Sequence, residues 1–208
     1  MSTSTNSKTQ RETKAKVWLK PNQIEKMRNA TVRESASYLS ARNDAILALL
    51  YDSGLRVGEL VQLDVAMFDL DEGTLGLPAN IQKDYPNENS PTYTRIGLKP
   101  ETVRVLTSYL NSRWKDPDAL LPSRQSDRMT EQSVRNVVED AAVAADIEPF
   151  SVERGRGDAS DVSPHTLRHS VAYRMISVEE KDIYAVTRRL RHATIQTTER
   201  VYAHFDRV

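Results

Sequence analysis

The sequence predicts a mainly helical α+β fold with a small antiparallel β-sheet, and three observations lead there. Apolar residues recur at helical spacing through most of the chain, and several of these runs open on a proline. Between residues 65 and 98 the texture changes to short strand-like runs separated by turn residues. The size, 208 residues and 23.5 kDa with 38% hydrophobic and 28% charged residues, suits one ordinary domain with a substantial core.

Residues 1–16 are rich in Ser, Thr, Asn and Lys and lack hydrophobic periodicity, so they are expected to form a disordered basic tail, with the folded domain spanning 17–208. In this region Lys8, Arg11, Lys14, Lys16 and Lys20 are opposed by Glu12 alone. Such a tail is either a solubilising extension or a basic arm that follows DNA phosphates. Order should begin at Val17-Trp18-Leu19, and Pro21 should start a helix with Ile24 and Met27 on one side. A strongly apolar helix is expected over Ala41–Tyr51, through Ile46, Leu47, Leu49 and Leu50, with Gly54 as its stop. A short helix after Arg56 turns Val57, Leu60 and Val61 toward the core.

Phe68 to Leu75 reads as strand, turn and second strand, and Thr92 to Leu98 as a third, with the polar stretch Lys83 to Ser90 as the connection. Helices resume at Pro100, carrying Val103, Leu106 and Leu110, and at Thr130, which caps Val134, Val138 and Ala141. A glycine- and charge-rich loop, Glu153 to Asp161, leads into a helix opened by Pro164. There Leu167, Val171 and Met175 form the buried stripe, leaving His165 and Arg168 to face elsewhere. Ile183, Val186 and Leu190 define the next helix, and a last short one carries Tyr202. No internal repeat and no second domain is evident.

The absence of cysteine excludes disulfides and thiolate metal sites. No apolar run approaches membrane-spanning length, and the N-terminus lacks the apolar stretch of a signal peptide. These features suit a cytoplasmic protein with no membrane partner. The formal net charge of zero argues mildly against a nucleic-acid partner, but the positive charge is clustered.

The chemistry concentrates in Pro164-His165-Thr166-Leu167-Arg168-His169. An imidazole and a guanidinium three residues apart on a helix put a fixed cation beside a group that titrates near neutrality. That pairing suits an oxyanion whose charge changes during reaction, and a phosphodiester is the obvious candidate. His165 and His169 are also spaced as two metal ligands on one helical face. However, Thr166 stands where a zinc-peptidase motif needs glutamate, and Arg168 would repel a dication, so no metal is expected.

Three further segments join this one. They are Gly54-Leu55-Arg56-Val57-Gly58-Glu59-Leu60, Leu190-Arg191-His192-Ala193-Thr194-Ile195, and Thr197-Thr198-Glu199-Arg200-Val201-Tyr202-Ala203-His204. Together the four resemble the catalytic domain of the tyrosine recombinases, the phage-integrase family, over about residues 17 to 206. The resemblance implies the tyrosine-recombinase catalytic-domain fold, that of the DNA breaking-rejoining enzymes, and a catalytic set of Arg56, Lys83, His165, Arg168, His192 and Tyr202.

In that set Arg56 and Arg168 clamp the phosphate; Glu59, three residues after Arg56, is spaced to orient its guanidinium and is expected to support structure rather than catalyse. His165 helps to move the proton of the nucleophile, and His192 donates to a phosphate oxygen. Tyr202 attacks, and Tyr173 and Tyr184 are poorer candidates because neither follows the His192 segment. Lys83 protonates the departing 5′ oxygen, with Lys99 the weaker alternative. The resemblance gives His169 a packing role. Arg191 replaces the usual glycine; it either enlarges a DNA-binding patch with Arg188 and Arg189 or distorts the turn.

The implied activity is site-specific recombination or integration of DNA through a 3′-phosphotyrosine intermediate, without metal, cofactor or ATP. The implied partners are double-stranded DNA with specific sites, a homotetramer on that DNA, and an accessory DNA-bending or helper protein. The alternatives are a catalytically inactive, recombinase-like DNA-binding regulator and a type IB topoisomerase-like activity. Because the sequence enters the catalytic segments almost at once, it is similar to short single-domain recombinases or to a fragment. With six residues after Tyr202, a C-terminal segment for docking a neighbour is expected to be short or absent.

Overall fold

The computed structural model describes residues 17–34, 36–83, 91–202 and 205. Along the chain, β1 (Val17–Trp18) leads to α1 (Pro21–Glu34), α2 (Ser37–Ser53) and α3 (Val57–Val61). The strands β2 (Phe68–Asp69), β3 (Thr74–Leu77) and β4 (Thr94–Gly97) precede α4 (Pro100–Asn111) and α5 (Glu131–Ala144). Then come β5 (Phe150–Ser151), β6 (Gly155–Arg156), α6 (Pro164–Tyr173), a π turn over Arg174–Val178, α7 (Ile183–Leu190) and α8 (Ile195–Tyr202).

The central element is α2. Its run Ala45–Leu50 is buried all round, because α1, α4, α5 and α6 pack about it. A helix enclosed in this way has no need of a polar face, which explains its unbroken apolar sequence. Leu19, Met27, Leu60, Leu106, Val134, Val138 and Leu167 complete the main core. A second cluster forms at the C-terminal end, where Trp18, Val171, Val186, Leu190 and Phe205 surround Tyr202.

The expected sheet is antiparallel, in the order β2-β3-β4, with Phe68 opposite Leu75 and Leu75 opposite Ile96. A second three-stranded sheet, β1-β5-β6, was not legible in the sequence. It pairs Trp18 with Phe150 and Phe150 with Arg156. The stretch 153–161 is therefore not all loop, since β6 lies within it. The Trp18 and Phe150 rings stack at 5.8 Å, and the Arg156 guanidinium covers Phe150 at 3.8 Å. The second helix is also longer than expected, starting at Ser37 rather than Ala41.

Gly54 ends α2 with φ +64°, its N–H donating to the Leu50 carbonyl at 3.1 Å. A Cβ there would meet Leu190 Cδ2 at 2.7 Å, with Val171 behind it. The left-handed backbone and the close approach of α6 and α7 both require glycine. Gly54→Ala should lower stability by about 2–4 kcal/mol through strain and overpacking. Denaturant unfolding would check this; an unchanged midpoint would show that Leu190 yields freely.

Candidate active site

Two helix ends and one capped helix bring the arginines together. Ser163 caps α6: its Oγ accepts the Thr166 N–H at 3.3 Å, and Thr166 Oγ1 accepts the Ser163 N–H at 3.1 Å. Pro164 occupies the first helical position, where no donor is lost. Thr166, one residue after His165, is thus occupied with the helix start.

Arg168, two residues further on, is only 3% exposed, and its two terminal nitrogens donate to the Gly54 and Leu190 carbonyls. These carbonyls close α2 and α7, where helix dipoles concentrate partial negative charge. Burial lowers the Arg168 pKa, and the neighbouring Arg56 and Arg191 lower it further. A guanidinium nevertheless stays charged at neutral pH.

Arg56 stands at the start of α3 with its side chain 28% exposed. Its backbone N–H donates to Glu59 Oε2 at 2.7 Å, and its Nη1 to Glu59 Oε1 at 3.0 Å. Glu59 is buried. Burial alone would raise its pKa, but Arg191, the Arg56 backbone and the Arg56 and Arg168 charges hold it below the usual carboxylate range.

On α8, Tyr202 is 1% exposed. Its ring lies between His192, stacked at 6.0 Å and 8°, and Phe205, stacked at 5.7 Å and 16°. The phenol oxygen is 3.0 Å from His169 Nδ1. Burial pushes the phenol up to about 12, with Arg168 and Arg56 pulling the other way. His165 packs edge-on against His169 at 4.2 Å and is exposed at the rim. Desolvation on its inner side, then Arg168 and Arg56, lower its pKa.

His192 Nδ1 lies 2.8 Å from the Thr198 hydroxyl. Desolvation first, then Arg168 and Arg56, bring its pKa down to about 4. A folded-state value below the unfolded one means that the unfolded chain binds more protons between pH 6.5 and 4. Stability contributed by neutral His192 is then full above pH 6.5 and lost as pH falls toward 4, by at most about 3 kcal/mol. Calorimetric melting across this window should show the loss, and His192→Asn should flatten it; equal slopes in both proteins would contradict the assignment.

The structure thus gathers Arg56, His165, Arg168, His192 and Tyr202 around one center. It adds His169, which sequence reasoning had given to packing, on the phenol oxygen itself. The available signal was its spacing four residues after His165 on the same helical face. Lys83 follows a 3-10 turn at Ala79–Ile81, exposed and with no hydrogen bond or ion pair to this cluster among the described residues. Lys99 pairs with Glu179 at 2.8 Å instead.

The three arginines of the expected basic patch differ in their surroundings. Arg189 is paired with Asp52 at 2.7 Å and Arg191 with Glu59 at 2.6 Å, and of the three arginines Arg188 alone is exposed. Lys14, Lys16 and His204 lie outside the described residues. Among those described, no three His, Asp or Glu side chains converge as a metal site requires, and no helix is long and apolar enough to cross a membrane.

Two guanidiniums and three imidazoles thus surround one buried tyrosine in a helical domain. Residues 17–207 match the phage integrase family, and the chain belongs to that family. Tyrosine recombinase XerC of Bifidobacterium longum is 32% identical over 191 residues, covering 88% of this chain and 48% of the relative. Tyrosine recombinase XerD of Haemophilus influenzae is 30% identical over 168 residues, covering 80% and 51%. The chain spans about half the length of these curated relatives.

Among solved structures, XerA recombinase superposes with a TM-score of 0.69 at 25% identity, over 90% of this chain and 60% of that one. XerH bound to a palindromic difH substrate, in a post-cleavage complex, has a TM-score of 0.70 at 23% identity, over 93% and 51%, and shares the fold.

Proposed function

We propose that this chain supplies the catalytic domain of a site-specific DNA recombinase, breaking and rejoining strands through a 3′-phosphotyrosine link. The observation that carries the reading is the Tyr202 phenol oxygen, 3.0 Å from His169 Nδ1 in a cluster that holds Arg56 and Arg168. A phosphodiester bears one negative charge, and its pentacovalent transition state bears more. Two guanidiniums facing the non-bridging oxygens stabilise that difference. His192, neutral at pH 7, adds a hydrogen bond without adding a charge.

Tyr202 Oη forms a bond to phosphorus while the bond from phosphorus to the 5′ oxygen breaks. His169 takes the phenol proton at Nδ1, with His165 packed behind it toward solvent. A proton from Lys83, carried on the connection between β3 and β4, completes the 5′ hydroxyl. Attack by a 5′ hydroxyl from another strand then reverses the steps, so neither metal nor nucleotide is consumed.

Double-stranded DNA is the partner in this reading, since a phosphodiester is what two guanidiniums beside a tyrosine suit. Arg188 and the tail lysines Lys14 and Lys16 would add phosphate contacts. Assembly as a tetramer on DNA, with an accessory DNA-bending protein, belongs to the same proposal.

The test is covalent trapping on nicked duplexes tiled from DNA flanking the gene, followed by SDS gels and peptide mass mapping. An adduct on the Tyr202 peptide at a defined site supports a recombinase. Adducts at any sequence, together with relaxation of supercoiled plasmid, would favour a topoisomerase-like activity. Binding without an adduct would favour a regulator that has lost turnover.

A further inference from the structure

Arg191 closes α7 in a backbone conformation that favours glycine, and its side chain turns inward. The residue ends α7 at φ 52° and ψ 49°, a left-handed conformation that disfavours any side chain. Its side chain is 8% exposed, and its Nε is buried without a hydrogen-bond partner. Its Nη1 donates to the Arg189 carbonyl at 3.1 Å and its Nη2 to Glu59 Oε2 at 2.6 Å. Glu59 is the carboxylate that also holds Arg56.

We infer that Arg191 is a positioning residue, which occupies one edge of Glu59 and so leaves the Arg56 guanidinium free to serve the phosphate. The inference rests on the recombinase reading for its catalytic consequence, though not for the Arg191–Glu59–Arg56 coupling itself.

A buried carboxylate facing one guanidinium draws it into a two-pronged pair and cancels its charge. Here Oε2 already receives the Arg191 Nη2 and the Arg56 backbone N–H, so the Arg56 side chain keeps a single bond, to Oε1. Its other N–H groups remain for a ligand, and its side chain is more exposed than that of Arg191, 28% against 8%. Three guanidiniums against one carboxylate leave two net positive charges beside the phosphate; without Arg191 one remains. The backbone strain and the buried cation are then linked to a gain at Arg56.

The experiment compares wild type, Arg191→Gly, Arg191→Lys, Arg191→Met, Glu59→Gln and the Glu59→Gln/Arg191→Gly pair. Glycine accepts the left-handed turn, so Arg191→Gly removes the guanidinium without straining the end of α7. Each protein is assayed for the rate of Tyr202 adduct formation at saturating nicked duplex. In addition, inorganic phosphate is titrated while the His165 and His192 imidazole signals are followed by NMR.

Arg191→Gly should slow adduct formation by about 10–100-fold and weaken phosphate binding about tenfold. Arg191→Lys should recover most of both, and Arg191→Met, of similar length and equal strain, should recover neither. With Glu59→Gln in place there is no charge to neutralise, so removing Arg191 as well should change the rate by less than about threefold.

A wild-type rate and phosphate affinity in Arg191→Gly would overturn the inference and leave Arg191 a helix end only. An undiminished loss in the Glu59→Gln background would overturn it too, by showing that Arg191 acts on DNA directly. If wild type forms no adduct but its phosphate affinity responds as expected, the recombinase reading fails and the coupling through Glu59 stands.

Discussion

Replacing Tyr202 with phenylalanine should abolish the covalent DNA adduct while leaving the fold and DNA affinity nearly unchanged. The ring is 1% exposed and stacked between His192 and Phe205, and phenylalanine keeps that whole apolar contact. Only the oxygen is lost, and with it the contact to His169 Nδ1, a cost of about 1 kcal/mol. The chemical loss is complete because, among the described residues, no other tyrosine stands against His169 and His192.

Tyr184 is 65% exposed on α7, and Tyr173 is buried beside Phe205. With its pKa pushed up to about 12, the Tyr202 phenol is protonated at neutral pH, so in the proposed reaction its attack is coupled to proton transfer to His169. SDS-resistant adducts, gel-shift affinity and thermal melting measured on the two proteins check each part. An adduct persisting in Tyr202→Phe would remove Tyr202 from the mechanism. A variant that loses DNA binding in step with the adduct would make the phenol a structural group.

The sequence announced most of the helices because each carries a local marker. Pro21, Pro100 and Pro164 open α1, α4 and α6, Thr130 caps α5, and Gly54 stops α2. The β1-β5-β6 sheet had no such marker. Its strands are two residues long, too short for an alternating pattern, and Val17 meets Ser151 from the far end of the chain.

The site divides along the same line. Arg56, His165, Arg168, His192 and Tyr202 stood out because they fall in short segments that carry a family resemblance. The fate of each arginine did not, because a run such as Arg188-Arg189-Leu190-Arg191 reads the same whether it faces solvent or pairs inward. The deciding carboxylates, Asp52 and Glu59, come more than a hundred residues earlier. His169 was passed over for a related reason: its spacing from His165 is local, but its meaning depends on Tyr202, 33 residues further on.

Arg168→Ala should combine the second large loss of cleavage with the largest loss of stability outside the apolar core. The guanidinium binds the carbonyl ends of α2 and α7 at once, so alanine strands two buried acceptors and opens a cavity between three helices. Unsatisfied acceptors cost about 1–3 kcal/mol each, and relief of repulsion with Arg56 and Arg191 offsets part of that.

Among the described residues no carboxylate pairs directly with Arg168; the carbonyl ends of α2 and α7 hold it, and they leave its full formal charge for a phosphate. Cleavage should therefore fall by about 10³-fold or more, beyond what partial unfolding explains. Arg168→Lys separates the two effects. An ammonium keeps the charge but cannot fork to both carbonyls, so it should recover stability in part and cleavage much less. Urea unfolding and single-turnover cleavage on the same preparations would measure both. Parallel recovery of the two by lysine would mean that Arg168 serves the architecture alone, and that Arg56 meets the phosphate without it.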